Sequence, residues 1–119
     1  MPDSTILTDY LLDRTTRLVD KLFVYPERMQ ANLAMTRGLI FSGQLLLDLA
    51  AKGVLREHAY QWVQRNAMRA WEHGEDFRKL VTADADIART LTSAELDTAF
   101  SLERQLRHVD AIFTRVFGS

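Results

Sequence analysis

An all-α fold, a bundle of five to seven helices with short connections, is what this 119-residue sequence predicts, and three observations predict it. Apolar residues recur at the 3.6-residue period of amphipathic helices. No stretch alternates with the period of two that marks a half-buried strand, and only two prolines, at positions 2 and 26, interrupt the chain. The length suits one domain with one core. With 47% apolar and 26% charged residues and a mean hydropathy of -0.15, the composition is that of a folded domain rather than a linker or a disordered tail.

Taken in order, the first helix starts within residues 2 to 4, where Pro2 fits a first turn and Asp3 or Ser4 can cap it. Its stripe runs Leu7, Leu11, Leu18, Leu22, with Ile6, Tyr10, Val19 and Phe23 alongside, and it ends at about Phe23 to Tyr25, because Pro26 disfavours helical angles in the residue before it. Pro26 opens a short second helix with Glu27 in its first turn and Met29 and Leu33 as its stripe, and the chain must turn near Arg37-Gly38. The run Leu39 to Lys52 leaves little polar surface and is expected to be the most central helix, closed by Lys52-Gly53.

Residues 55 to 73 form a fourth helix that buries Ala59, Trp62, Val63, Ala67, Ala70 and Trp71 and ends at Gly74. Asp76 to Ala83 brings Phe77, Leu80 and Val81 together, and Thr92-x-x-Glu95 has the spacing of a capping box ahead of Leu96, Ala99 and Phe100. One last helix carries the seam Leu102, Leu106, Val109, Phe113, Val116. Neither a repeat nor a low-complexity segment is visible.

Fifteen Lys and Arg against 16 Asp and Glu give a net charge of -1, balanced in both halves, so nucleic acid and anionic membranes are not expected partners. Zero cysteines exclude disulfides, thiolate zinc sites and cysteine nucleophiles. Apolar runs such as Leu39-Ile40-Phe41 and Leu45-Leu46-Leu47 fall far short of the roughly 20 residues of a membrane span. Met1-Pro2-Asp3-Ser4 lacks the build of a signal peptide, and a cytoplasmic location is the default expectation.

Few residues suggest chemistry. His58, His73 and His108 are 15 and 35 residues apart, so no pair shares a helical face, and neither metal nor cofactor is expected. His108 reads as a boundary histidine with a backbone or carboxylate partner. The five glycines form no phosphate loop. Ser42 lies inside an apolar helix rather than after a strand, so it is no nucleophile elbow, and its hydroxyl is expected to bond back to a carbonyl one turn earlier.

Arg14 falls where the first stripe wants an apolar side chain. Either it meets a ligand or subunit, or it pairs with a carboxylate while its stem packs; the structural reading is favoured. Asp13 and Arg17 form an ordinary exposed pair, and Asn66 is expected to make a hydrogen bond between helices. Trp62 and Trp71 read as packing on one broad face. Arg14, Arg37 and Ser42 are the polar candidates, with no catalytic, cofactor-binding or metal-ligating residue assigned.

Pro2-Asp3-Ser4-Thr5-Ile6-Leu7 through Tyr10-Leu11-Leu12, Val24-Tyr25-Pro26-Glu27-Arg28-Met29, Asn32-Leu33 and Thr36-Arg37-Gly38-Leu39-Ile40-Phe41-Ser42 carry a resemblance that continues downstream. There it runs through Glu57, Ala59-Tyr60, Val63-Gln64, Ala67-Met68, Ala70-Trp71-Glu72 and Leu106-Arg107-His108-Val109-Asp110-x-Ile112-Phe113. Essentially the whole chain resembles the C-terminal domain of the adenylosuccinate lyases, in the fumarase/aspartase superfamily.

The resemblance implies a homotetrameric, all-helical enzyme of purine biosynthesis that eliminates fumarate from adenylosuccinate and from the succinyl-carboxamide ribotide. It also implies that the serine base, the histidine acid and the phosphate-binding residues precede Pro2, so that residues 1–119 are a structural, active-site-enclosing domain, inactive alone. Its partners would be its own central domain and the tetramer subunits, and a surface made to pack there would favour self-association or marginal stability. The alternative is a stand-alone helical interaction module. Leu55 departs from the capping serine or threonine common in relatives. So does Ser101 with Glu103-Arg104-Gln105, where relatives tend to read Asp-x-x-Tyr-His, leaving the capping and packing there open.

Overall fold

A computed structural model describes residues 2–118. Among them are nine α-helices and one 3-10 turn, without a strand: α1 (Pro2–Asp20), α2 (Pro26–Met35), the 3-10 turn Leu39–Phe41, α3 (Ser42–Ala51), α4 (Arg56–His73), α5 (Phe77–Ala83), α6 (Ala85–Thr90), α7 (Ser93–Ala99), α8 (Leu102–Leu106) and α9 (Val109–Phe117). The all-α class holds, and the number of helices exceeds five to seven for two local reasons. Asp84 caps a separate α6 that the sequence reading did not resolve. The expected single last helix is two, because the backbone opens at His108 (φ −100°, ψ −1°). No single helix among the described residues is long and apolar enough to cross a membrane.

The chain divides into two compact units, Met1–Gln30 and Ala31–Ser119. In the first, α1 stops at Asp20, short of the expected 23 to 25. The Leu22 N–H bonds to the Val19 carbonyl at 3.0 Å, which tightens the last turn, and the bulky run Phe23-Val24-Tyr25 then stays non-helical up to Pro26. The polar middle of α1 is satisfied within the helix. Thr15 and Thr16 donate to the carbonyls of Leu11 and Leu12 at 2.8 and 2.9 Å, and Arg17 pairs with Asp13 at 3.1 Å. Nothing in α1 is buried: the expected stripe of Leu7, Leu11, Leu18 and Leu22 is exposed along its length, with Ile6, Tyr10, Val19 and Phe23.

In the second unit the core forms around α3, which packs against α4 and α7 while α4 packs on α5. Leu45 and Leu49 of α3 are fully buried, as a central helix requires. From α4 come Ala59, Val63, Asn66 and Ala70, spaced four, three and four residues apart, so small side chains let α3 come close. Phe77, Leu80 and Val81 of α5, Ile87 of α6, Leu91, and Leu96 and Ala99 of α7 complete it. Trp62 and Ala67 pack on its edge.

Trp71 does not. It is 75% exposed, because nine residues at 100° each place it about 180° around the helix from Trp62 rather than on the same face.

Polar side chains fix the short helices. Asp76 accepts the Lys79 N–H to start α5. Thr92 and Glu95 form the reciprocal capping box of α7, and Glu95 also pairs with Lys52 at the end of α3. Leu55 gives α4 no side-chain cap, whereas Ser101 does cap α8 by accepting the Arg104 N–H. Arg104 in turn grips Asp48 of α3 through two bonds of 2.6 and 2.7 Å, tying α8 to the core.

Asp84, with a side chain only 6% exposed, is the most connected of these groups. Its carboxylate accepts from Arg65 Nε and Nη2 at 2.8 and 2.6 Å, from Asn66 Nδ2 at 2.6 Å, and from the amides of Asp86 and Ile87. Asn66, 3% exposed, thus makes the expected helix-to-helix bond and also donates to the Trp62 carbonyl. Burial pushes the Asp84 carboxyl up, and the bonds from Arg65, Asn66 and the two amides outweigh it, holding the group at about 2. A carboxyl lowered by folding stabilises the fold above its unfolded value and loses that contribution as pH falls through the folded one.

We therefore expect the unfolding free energy of the chain to decline as pH drops from about 5 toward 2, by on the order of 2 kcal/mol from this group. Urea titrations across that range should show a shallower decline for Asp84→Asn. At neutral pH, Asp84→Ala should cost about 2–3 kcal/mol, through loss of a cap and of the Arg65 and Asn66 bonds; a cost below about 0.5 kcal/mol would mean the carboxylate is not a structural anchor.

Candidate functional site

The second unit carries an apolar groove of about 720 Å³ lined by Asn32, Met35, Thr36, Arg37, Leu39, Ile40, Ala70 and Trp71. Its floor is set by a turn. Arg37 and Gly38 both take left-handed backbone angles, φ 50° and 88°, which swing the chain from α2 into the 3-10 turn. Gly38 can do this without strain and also lets the backbone sit on an aromatic trio: a Cβ there would lie 3.4 Å from the Phe100 ring and 3.8 Å from Phe77. Phe100 meets Phe41 and Phe77 with ring centroids 5.5 and 5.8 Å apart.

Arg37 is the non-glycine residue with positive φ among those described. It is held there from two sides. Its carbonyl accepts the Phe77 N–H at 3.1 Å, and its guanidinium lies against Gly74, where a Cβ would come within 3.3 Å of Nη1. Gly74, itself at φ 68°, closes α4. The turn into the groove and the turn out of α4 are therefore one packed unit. Among the described residues no carboxylate lies within ion-pairing distance of Arg37, whereas Arg65, Arg69, Arg78, Arg89 and Arg104 each have one.

The three polar candidates fall in two units. Arg37 and Ser42 stand at the two ends of the 3-10 turn, and Ser42 does not line the groove. Ser42 begins α3 instead of lying inside it, and the bond back to a carbonyl, that of Leu39, is made by its amide. Arg14 belongs to the other unit. Its guanidinium sits 5.9 Å from the Tyr10 ring centroid, and no described carboxylate supplies the ion pair that the structural reading expected. His108 accepts from Arg107 Nε at 2.9 Å rather than meeting a backbone group or carboxylate.

A second, smaller hollow of about 330 Å³ lies between α3, α7 and α8, lined in part by Asp48, Lys52, Glu95 and Arg104. Its charges answer one another, Lys52 with Glu95 and Arg104 with Asp48. Lys52, together with the Thr92 amide and hydroxyl, keeps the Glu95 carboxyl at about 2. No group of three or more possible metal-ligating side chains occurs among the described residues.

Trp71 in the groove and Gly74 beneath the Arg37 guanidinium are two features that sequence reasoning does not place. Trp71 was placed in the core, although its angular distance from Trp62 was available from spacing alone. Gly74 read only as a helix terminator, and its role as a seat for Arg37 depends on a contact between residues far apart in sequence.

Residues 38–116, from the Gly38 turn through α9, match the family described as adenylosuccinate lyase C-terminus. The chain belongs to the adenylosuccinate lyase family. An adenylosuccinate lyase from Staphylococcus saprophyticus is 45% identical over 115 residues, which is 97% of this chain and 27% of that relative. The chain thus spans about a quarter of the length of that lyase. The match takes in α3 to α7, the helices that build the core, and the turn beneath the groove.

The strained turn can be tested in this lyase-family chain. Gly38→Ala should destabilise it by about 1–2 kcal/mol in urea unfolding, since alanine resists φ 88°. Arg37→Gly, which removes a left-handed non-glycine residue, should leave stability unchanged or raise it by up to about 1 kcal/mol. The opposite order would show that the turn is not conformationally limited.

Proposed function

We propose that residues 1–119 serve as the C-terminal helical domain of a longer adenylosuccinate lyase, and that they contribute structure and active-site enclosure rather than catalytic groups. The observation that carries this reading is the coverage: the match to the S. saprophyticus lyase takes in nearly all of this chain and 27% of that enzyme. In the longer enzyme the reaction is elimination of fumarate from adenylosuccinate and from the succinyl-carboxamide ribotide of purine biosynthesis, in a cytoplasmic homotetramer. The base, the acid and the phosphate-binding residues come from the central and catalytic domains.

The exposed apolar side chains of α1 support the same reading. Ile6, Leu7, Tyr10, Leu11, Leu18 and Val19 are each more than half exposed, two apolar patches either side of the polar middle of α1, and exposed apolar surface of this kind marks an interface. Its cover in the longer enzyme is the central domain and the neighbouring subunits.

Fumarate release by the isolated 119 residues, followed by absorbance with adenylosuccinate as substrate, should not exceed background. Clear turnover would overturn the assignment of the catalytic groups to other domains. In the longer enzyme, Leu11→Asp with Leu18→Asp should shift the tetramer to smaller species on size exclusion with light scattering; an unchanged tetramer with full activity would contradict the proposed use of α1.

A further inference from the structure

We propose that the groove between the Arg37 turn and the end of α4 is a binding site for a small aromatic carboxylate, with Arg37 taking the carboxylate and Trp71 the ring. The inference stands independently of the lyase reading and uses none of that reaction's groups. Three observations on one feature carry it.

Size comes first. At about 720 Å³ the groove lies within the range of roughly 300–1,000 Å³ typical of small-molecule sites. The arrangement of its walls comes second. Met35, Leu39, Ile40 and Ala70 give apolar surface, and Trp71, 75% exposed, lies among the lining side chains. Asn32, Thr36 and Arg37 are the polar side chains of the lining. The Thr36 hydroxyl already donates to the Leu33 carbonyl at 2.8 Å, which leaves Arg37 and Asn32 to orient a ligand.

Charge is the third. Among the described residues Arg37 has no carboxylate within ion-pairing distance, a condition it shares with Arg56, Arg107 and Arg115 of the same unit, and of these four it is the one that lines the groove. Its backbone is held at φ 50° by the Phe77 amide and by the seat at Gly74. A residue whose backbone is kept in a disfavoured region beside a concave surface is a recurring feature of ligand sites. A guanidinium offers a planar fork that matches a carboxylate, and it acts beside an apolar wall where such bonds are stronger than in open water. An ammonium-bearing ligand of the same shape would meet the wrong charge.

The test uses three probes with the same ring: indole-3-acetate, its neutral amide and the cationic tryptamine. The chain has two tryptophans, so the two indole N–H signals in a nitrogen-15 correlation spectrum report separately on Trp62 and Trp71, the assignment being made with Trp71→Phe. Indole-3-acetate should shift the Trp71 and Arg37 side-chain signals and leave Trp62 in place. Its affinity should exceed that of the amide by about ten-fold, with tryptamine weakest. Arg37→Met should bring indole-3-acetate down to the level of the amide while helicity by circular dichroism is retained. Arg37→Gly, which relaxes the backbone, should lose the same affinity with unchanged or higher stability. Equal binding of acetate and tryptamine, retention of affinity in both Arg37 variants, or no shift of the Trp71 signal by about 5 mM indole-3-acetate would each overturn the proposal.

Discussion

All twelve buried apolar side chains among the described residues fall between Leu45 and Ala99, and the organisation of the second unit follows from that constraint. A core drawn from so short a segment has to be closed by short helices, and short helices are unstable without specific caps. Asp76, Asp84, Thr92 and Ser101 supply those caps in turn. Asp84 does more than cap. By drawing Arg65 and Asn66 to the start of α6, it locks α4 to the segment that delivers Ile87 and Leu91 to the core. A polar group this deep is tolerable because its bonding capacity is met, and no buried side-chain nitrogen or oxygen is left without a partner among the described residues.

Outside that segment the physics reverses. The α1 helix is amphipathic by pattern yet buries nothing, and α9 likewise leaves Ile112, Phe113, Val116 and Phe117 exposed. The apolar periodicity of a sequence records what a helix is made to face. It does not say whether the facing surface lies within the same 119 residues. The chain belongs to the adenylosuccinate lyase family and spans about a quarter of the length of a relative, and the proposed function gives the apolar face of α1 its cover in the remainder.

Local chemistry was the legible part of the sequence. Prolines, the Gly38, Gly53 and Gly74 turns, the Thr92-Glu95 box, the central place of α3 and the buried face of α5 were readable because each is set by neighbours within one or two helical turns. Asn66 was recognisable as a helix-to-helix donor, but its acceptor, 18 residues away, was not. The α6 helix was missed because its six residues show too little periodicity, and the break at His108 because the apolar seam runs on across it. The groove belongs to the same class: Arg37 is more than thirty residues from Trp71 and Gly74, and only packing brings the two segments together.

The segment from Leu45 to Ala99 carries the core of the second unit, and on the proposed reading α1 takes its stability from a surface outside these 119 residues. Hydrogen exchange resolved by helix, on the 119-residue chain and on the longer lyase, tests this most directly. The account predicts slow exchange in α3, α4 and α5 of both, with α1 exchanging close to the rate of an unstructured peptide in the short chain and becoming protected in the longer one. Protection of α1 equal to that of α4 in the isolated 119 residues would contradict it.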